Sequence, residues 1–306
     1  SGYVQVFYLE SDDFGSSWKQ LGQDITGDAN GDWFGRSVSL SNDGKTLAVG
    51  ANTHDGNGLS SGCVRIYHLK DDGTSSWEQI GQDIYGEAVY DNLGWTVSLS
   101  ADGTTVAIGA RRNNDNGDGS GQVRVYQIDS AGSTWEQLGQ DINGDAVGDQ
   151  FGKSVDISSD GKTLAIGAPG YWEENDRPGY VRVYYLESND LTSSWTQIGQ
   201  DIIGEADGDD FFGTSVSLSD DGKTLAVGAY KNDGNGENSG HVRVYRMDDS
   251  STSWRQVGED IDGEASWDST RVSVSLSADG TTVAIGAPEN DDNGLDSGHV
   301  RIFSIK

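Results

Sequence analysis

Apolar and polar residues alternate along this chain with a period of two, as in half-buried strands, and no stretch carries the 3.6-residue apolar period of a helix. Val123-Arg124-Val125-Tyr126 alternates apolar with amphipathic side chains, and Ser215-Val216-Ser217-Leu218-Ser219 alternates small polar with aliphatic ones. Leu225-Ala226-Val227-Gly228-Ala229 is a short apolar run whose Gly and Ala let neighbouring backbones approach closely. Trp254-Arg255-Gln256-Val257 predicts a fourth strand. Each of these segments recurs. The Gly of the Gly-Ala pair falls at Gly50, Gly109, Gly167, Gly228 and Gly286, at spacings of 59, 58, 61 and 58 residues. Four short strands repeated at this period predict an all-β fold, a β-propeller of four-stranded antiparallel blades in one domain over residues 1–306.

The turn between the second and third segments is Asn42-Asp43-Gly44 and its counterparts Ala101-Asp102-Gly103, Ser159-Asp160-Gly161, Asp220-Asp221-Gly222 and Ala278-Asp279-Gly280. Asp-Gly supplies the positive φ that tight hairpins need. The VRVY-type strand has six copies, against five of every other strand. Five blades are expected, with the N-terminal strand near Trp18 closing the ring against the C-terminal blade and one VRVY-type strand left over. The alternative is a fragment of a seven-bladed or longer array.

Phe151-Gly152-Lys153-Ser154-Val155 followed by Gly167-Ala168-Pro169 resembles an FG-GAP repeat, the blade unit of integrin alpha-chain propellers. Phe34-Gly35 with Gly50-Ala51, and Phe212-Gly213 with Gly228-Ala229, resemble it nearly as well. Leu93-Gly94 is a weaker match, and Arg271-Val272 has lost the motif. The resemblance implies the fold and is weak for function, because such propellers serve many roles. Family calcium loops of the DxDxDG type lie between the first two blade strands. Here that place holds the tight Asp-Gly turn, so those ligands do not transfer.

Fifty acidic residues against twenty basic ones give a formal net charge of −30, which disfavours nucleic acid as a partner. No apolar run approaches the roughly 18 residues of a membrane helix, so no membrane insertion is expected. No signal-peptide pattern is present at Ser1, where the chain opens inside the repeat, so any targeting segment is expected to lie outside these residues. Cys63 is the single cysteine, which excludes an intrachain disulfide. His241 and His299 share one repeat position and read as structural, and no catalytic motif appears.

In an up-and-down blade the loop approaching SVSLS and the loop leaving LAVGA share one face, and both are acidic. The approach loops carry Asp28, Asp32, Glu87, Asp91, Asp145, Asp149, Glu205 and Asp209; the exit loops carry Asp55, Asp115, Asp233 and Asp291. Oxygen-only donors interleaved with Gly suit calcium, although Asn, Asp and Gly are also ordinary turn residues. Residues that break the repeat on this face are Trp33, Tyr90, Trp95, Arg111, Arg112, Tyr171, Trp172 and Trp267. Aromatics with polar rims are what ligand-binding surfaces use, and rings filling gaps between blades are the structural counter-reading. The expectation is a non-catalytic, extracellular or cell-surface recognition or adhesion module, a monomer or part of a longer chain. It binds glycan or an extracellular protein on the acidic face, with calcium as cofactor. The alternatives are a polysaccharide-acting propeller enzyme and a purely structural scaffold.

Overall fold

The structure, a computed structural model, describes all residues except 13–14, 74, 171–177, 189, 206–209, 249–252, 268–271, 292–293 and 306. Every regular element among the described residues is a strand. In the first blade Ser37–Leu40 is innermost, followed outward by Thr46–Ala51, Cys63–Leu69 and an outer position shared by Trp77–Gln79 and Ile84–Tyr85. Neighbours pair antiparallel throughout. Three further blades repeat this order, with inner strands Thr96–Leu99, Ser154–Ile157 and Phe212–Leu218. The fifth has three described strands, Ser273–Leu276, Thr282–Ala287 and His299–Ser304.

The repeated residues are the joints between blades. Trp77, Trp135, Trp195 and Trp254 are buried, and each indole Nε1 donates to a carbonyl of the preceding unit: Leu21, Ile80, Leu138 and Ile198, at 2.9, 3.0, 2.9 and 3.3 Å. A Gln from that preceding unit clamps the same Trp. Gln140 Nε2 donates to the Trp195 carbonyl and its Oε1 accepts from the Trp195 N–H, at 2.8 and 2.9 Å. The Gly-Ala and Phe-Gly marks meet one another. A Cβ on Gly109 would lie 2.1 Å from the Gly152 carbonyl oxygen of the next blade, so the site is closed to any other residue. Apolar clusters accordingly span adjacent blades, as where Val181 and Val183 of the third pack with Leu225 and Val227 of the fourth.

The N-terminal segment differs from expectation. The strand containing Trp18, Gly15–Gln20, pairs with Phe7–Asp12, its hairpin neighbour, and no described pairing joins it to the fifth blade. A hairpin closed locally forms with little loop entropy, which favours it over a partner from the far end of the chain. Tyr3–Val4 pairs with Ile25–Thr26, and these residues pack beside Phe34 of the first blade. Residues 3–26 thus form the outer half of a blade. Trp18 is 69% exposed, unlike its four buried counterparts.

Candidate functional site

The approach and exit loops do share a face, and backbone hydrogen bonds tie them together: Thr53 N–H to Asp32 O, Arg112 N–H to Asp91 O, Gly170 N–H to Asp149 O and Lys231 N–H to Asp210 O. Most carboxylates read as metal ligands serve as fasteners there. Asp32, Asp91 and Asp149 are buried and accept from backbone amides of their own loops, Asp91 from Glu87 and Ala88 at 3.1 and 2.8 Å. Burial pushes the Asp91 carboxyl above the usual carboxylate range, against these hydrogen bonds. Asp28, Asp145 and Glu205 pair with Arg65, Arg182 and Arg243 of the VRVY strands. Those arginines also hold Asp83, Asp201 and Asp260. Asp55, Asp233 and Asp291 each accept from the N–H five residues on, at 2.8, 2.7 and 2.7 Å. In the second blade Asn114 makes that bond, and Asp115, one residue along, instead accepts from Gln122 at 2.9 Å. There Glu87, Asp115 and Asp141 converge, with one carboxylate oxygen each within 4.8 Å of the others. Asp209 lies outside the described residues.

At the hub the residue just before each SVSLS-type segment lines the central cavity. It is Arg36, Trp95, Lys153, Thr214 and Val272 in the five blades, and all five line one cavity of about 740 Å³ together with Trp33 and Tyr230. Arg111, Gln150 and Phe211 extend the lining in an adjoining cavity of about 160 Å³ that shares Lys153, Thr214 and Tyr230. Trp95 is the centre of the charged side. Arg111 Cζ lies 3.5 Å from its ring centroid, Arg36 Cζ 4.0 Å and Lys153 Nζ 4.5 Å. Arg111 is oriented by its bond to Gln150 Oε1 at 2.8 Å. Across the cavity Phe211 stacks on Tyr230 at 4.9 Å, with Lys231 Nζ 5.0 Å from the Phe211 ring. Three cations around one indole is the opposite of what a net charge of −30 would place here by chance.

Of the repeat-breaking residues named from sequence, Trp33, Trp95 and Arg111 meet at the hub. Tyr90 and Trp267 do not line it. Both are exposed, and their N–H groups bond to Leu59 O and Glu237 O of the preceding exit loops. Arg112 is exposed beside Asp91. Tyr171 and Trp172 fall outside the described residues. Sequence reasoning missed Arg36, Lys153, Gln150 and Tyr230. The signal was present, since the residue before each SVSLS strand differs in every unit.

Asp156 stands deeper along the inner strands, where the other blades have Ser39, Ser98, Ser217 and Ser275. It accepts from Ser98 Oγ at 2.9 Å and from Leu218 N–H at 2.7 Å, and burial pushes its carboxyl up to about 6.

Residues 26–67, 86–126 and 195–245 match the FG-GAP repeat family. No curated protein matches the chain by sequence. Among solved structures, a Bacteroides uniformis protein provisionally named a 6-phosphogluconolactonase superposes with a TM-score of 0.60 at 14% identity, over 95% of this chain and 75% of that one. The periplasmic gluconolactonase of Pseudomonas aeruginosa gives 0.56 at 19% identity, over 90% and 70%. Hydrazine synthase of Kuenenia stuttgartiensis gives 0.52 at 16%, over 92% and 67%. At these identities the likeness is one of fold. Blades of antiparallel strands, Phe-Gly seated on Gly-Ala between them and three matching repeats make this chain a β-propeller of FG-GAP-type repeats.

Proposed function

We propose that this chain is a non-catalytic recognition propeller that binds a glycan or an extracellular protein through its loop face, with the hub selecting ligands that carry anionic groups. The observation that carries this reading is the convergence of Arg36, Arg111 and Lys153 on Trp95 at the rim of a cavity of about 740 Å³. An indole offers a stacking surface to a sugar ring or a planar side chain, while guanidinium groups pair bidentately with carboxylate or sulfate. A place outside the cell or at its surface belongs to the same proposal. Binding of uronate- and sulfate-bearing oligosaccharides and of an acidic peptide, measured calorimetrically beside neutral sugars, tests it. Trp95→Ala and Arg111→Ala are expected to weaken the anionic ligand at least tenfold with the fold intact. Equal preference for neutral sugars, or unchanged affinity in both variants, would overturn the hub's role.

Calcium is the second part of the proposal. Glu87, Asp115 and Asp141 suit it best, being an oxygen-only group. Millimolar calcium is expected to raise the melting temperature, chelator to lower it, and Asp115→Asn to remove the response. A melting temperature indifferent to calcium and chelator would remove calcium from the reading.

An enzyme is the alternative, favoured by one observation: two structures of similar fold are named for lactone hydrolysis. Hydrolysis of gluconolactone that is lost in Arg111→Ala would replace recognition with catalysis.

A further inference from the structure

The first residue of each third strand faces the loops of its own blade, and the blades use it differently. Tyr180 donates its hydroxyl to Asp149 at 3.0 Å, and Gln122 donates to Asp115 at 2.9 Å. In the fourth blade the position is His241, only 2% exposed, and neither imidazole nitrogen has a hydrogen-bond partner. A buried polar group left this way costs roughly 1–3 kcal/mol, so it calls for a physical account. The exit loop supplies none, because Gly234 stands where the second blade has Asp115.

What faces the ring is two carboxylates. His241, Asp260 and Asp262 each place a potential ligand atom within 4.8 Å of the others. His241 Nδ1 is 3.9 Å from Asp260 Oδ2, too far for a hydrogen bond. Asp262 is the cross-strand partner of His241, and the matching places hold Thr26, Tyr85, Asn143 and Ile203. The fourth blade therefore adds a carboxylate that its siblings lack there. Arg243 holds Asp260 at 2.8 and 2.6 Å and also pairs with Glu205. Two guanidiniums, Arg243 and Arg301, the latter bonded to the Asp262 carbonyl, stand among Glu205, Asp260 and Asp262, which leaves a local charge of −1.

We propose that His241, Asp260 and Asp262 form a binding site for a borderline divalent cation of the zinc type. Imidazole nitrogen with carboxylate oxygen is a donor set that zinc accepts, at about 2.0–2.2 Å, whereas calcium takes oxygen alone. Tetrahedral ligand edges of about 3.4 Å follow from those bond lengths, so the 3.9 Å pair, and a third ligand atom within 4.8 Å of both, would draw inward around the ion. Arg243 and Gln256 fix the Asp260 carboxylate, as second-sphere groups commonly do for metal ligands. The ion would tie the outer strand Ile261–Asp262 to His241–Met247. This site is separate from the hub, and its test is independent of the ligand proposed there.

The test is titration of the chelator-treated full chain with zinc and, separately, cobalt(II). The expected result is one equivalent of zinc bound in the micromolar range or tighter, a raised melting temperature and visible d–d absorption from cobalt. His241→Ala and Asp262→Asn are each expected to weaken zinc at least tenfold. Asp262 is partly exposed, so its variant retains the fold if the histidine variant does not. No zinc uptake, uptake unchanged in Asp262→Asn, or equal competition by calcium would each overturn the site.

Discussion

Asp156 illustrates how one residue departs from the repeat and carries a cost with it. A carboxyl raised to about 6 in the fold, against 3.8 ordinarily, binds a proton on folding between those values. Its contribution therefore favours the fold below about pH 4, declines as pH rises and is lost above about pH 6. Ser217 Oγ shows the common alternative, accepting the Leu276 N–H at 3.0 Å. Asp156→Ser is expected to stabilise the protein by about 1–3 kcal/mol at pH 7.5 and by little at pH 4, read from denaturant unfolding at both values. A constant difference across pH would mean that Asp156 does not titrate as described. At this scale the sequence was only partly legible. The odd residues Trp33, Trp95 and Arg111 were visible because they interrupt a pattern. The acids were not legible, because an Asp that caps its own loop and an Asp that could hold an ion look alike in sequence. Asn114 and Asp115 make the point: Asn114 holds the loop as Asp233 does one repeat later, while Asp115 beside it faces Gln122 and two further carboxylates.

Among the elements, the outer strand carries the joint between blades. Its Gln clamp satisfies both the N–H and the carbonyl of the next Trp, so removing it leaves two backbone groups without their partner. Gln140→Ala is expected to cost about 2–3 kcal/mol by denaturant unfolding. Glu259 holds the same place in the fourth blade, is exposed and meets no further Trp strand among the described residues. Glu259→Ala is expected to stay within about 0.5 kcal/mol. Equal effects of the two changes would show that the clamp does not join blades. The strands themselves were legible because local pattern, Asp-Gly turns and repetition all agree on them. The pairing of the Trp18 strand was not legible, since two VRVY-type strands compete for one kind of partner and only geometry decides between them.

At the scale of the whole molecule the blades follow one another around a hub, each packed against its neighbours, with no strand pairing or apolar cluster among the described residues joining the fifth blade to the first. A net charge of −30 spread over these blades repels itself, and salt screens that repulsion with a Debye length of about 8 Å at physiological strength. Raising sodium chloride from 20 mM to about 0.5 M is expected to raise the melting temperature by several degrees, and a fall would point to ion pairs such as Arg65 with Asp83 as the larger electrostatic contribution. The third strand of the fifth blade leaves Val300 and Ile302 69% and 70% exposed, where Val242 and Val244 of the fourth are covered. In a chain of nearest-neighbour units, each interior blade is held from two sides and each terminal one from a single side. Opening therefore proceeds inward from the margins instead of all at once. Amide deuterium uptake is expected to be graded, fastest in His299–Ser304 and Phe7–Asp12 and slowest in Thr105–Ala110 and Thr163–Ala168. The hub inherits that gradient, because Val272 is supplied by a terminal unit held from a single side, while Trp95 and Lys153 rest on interior units.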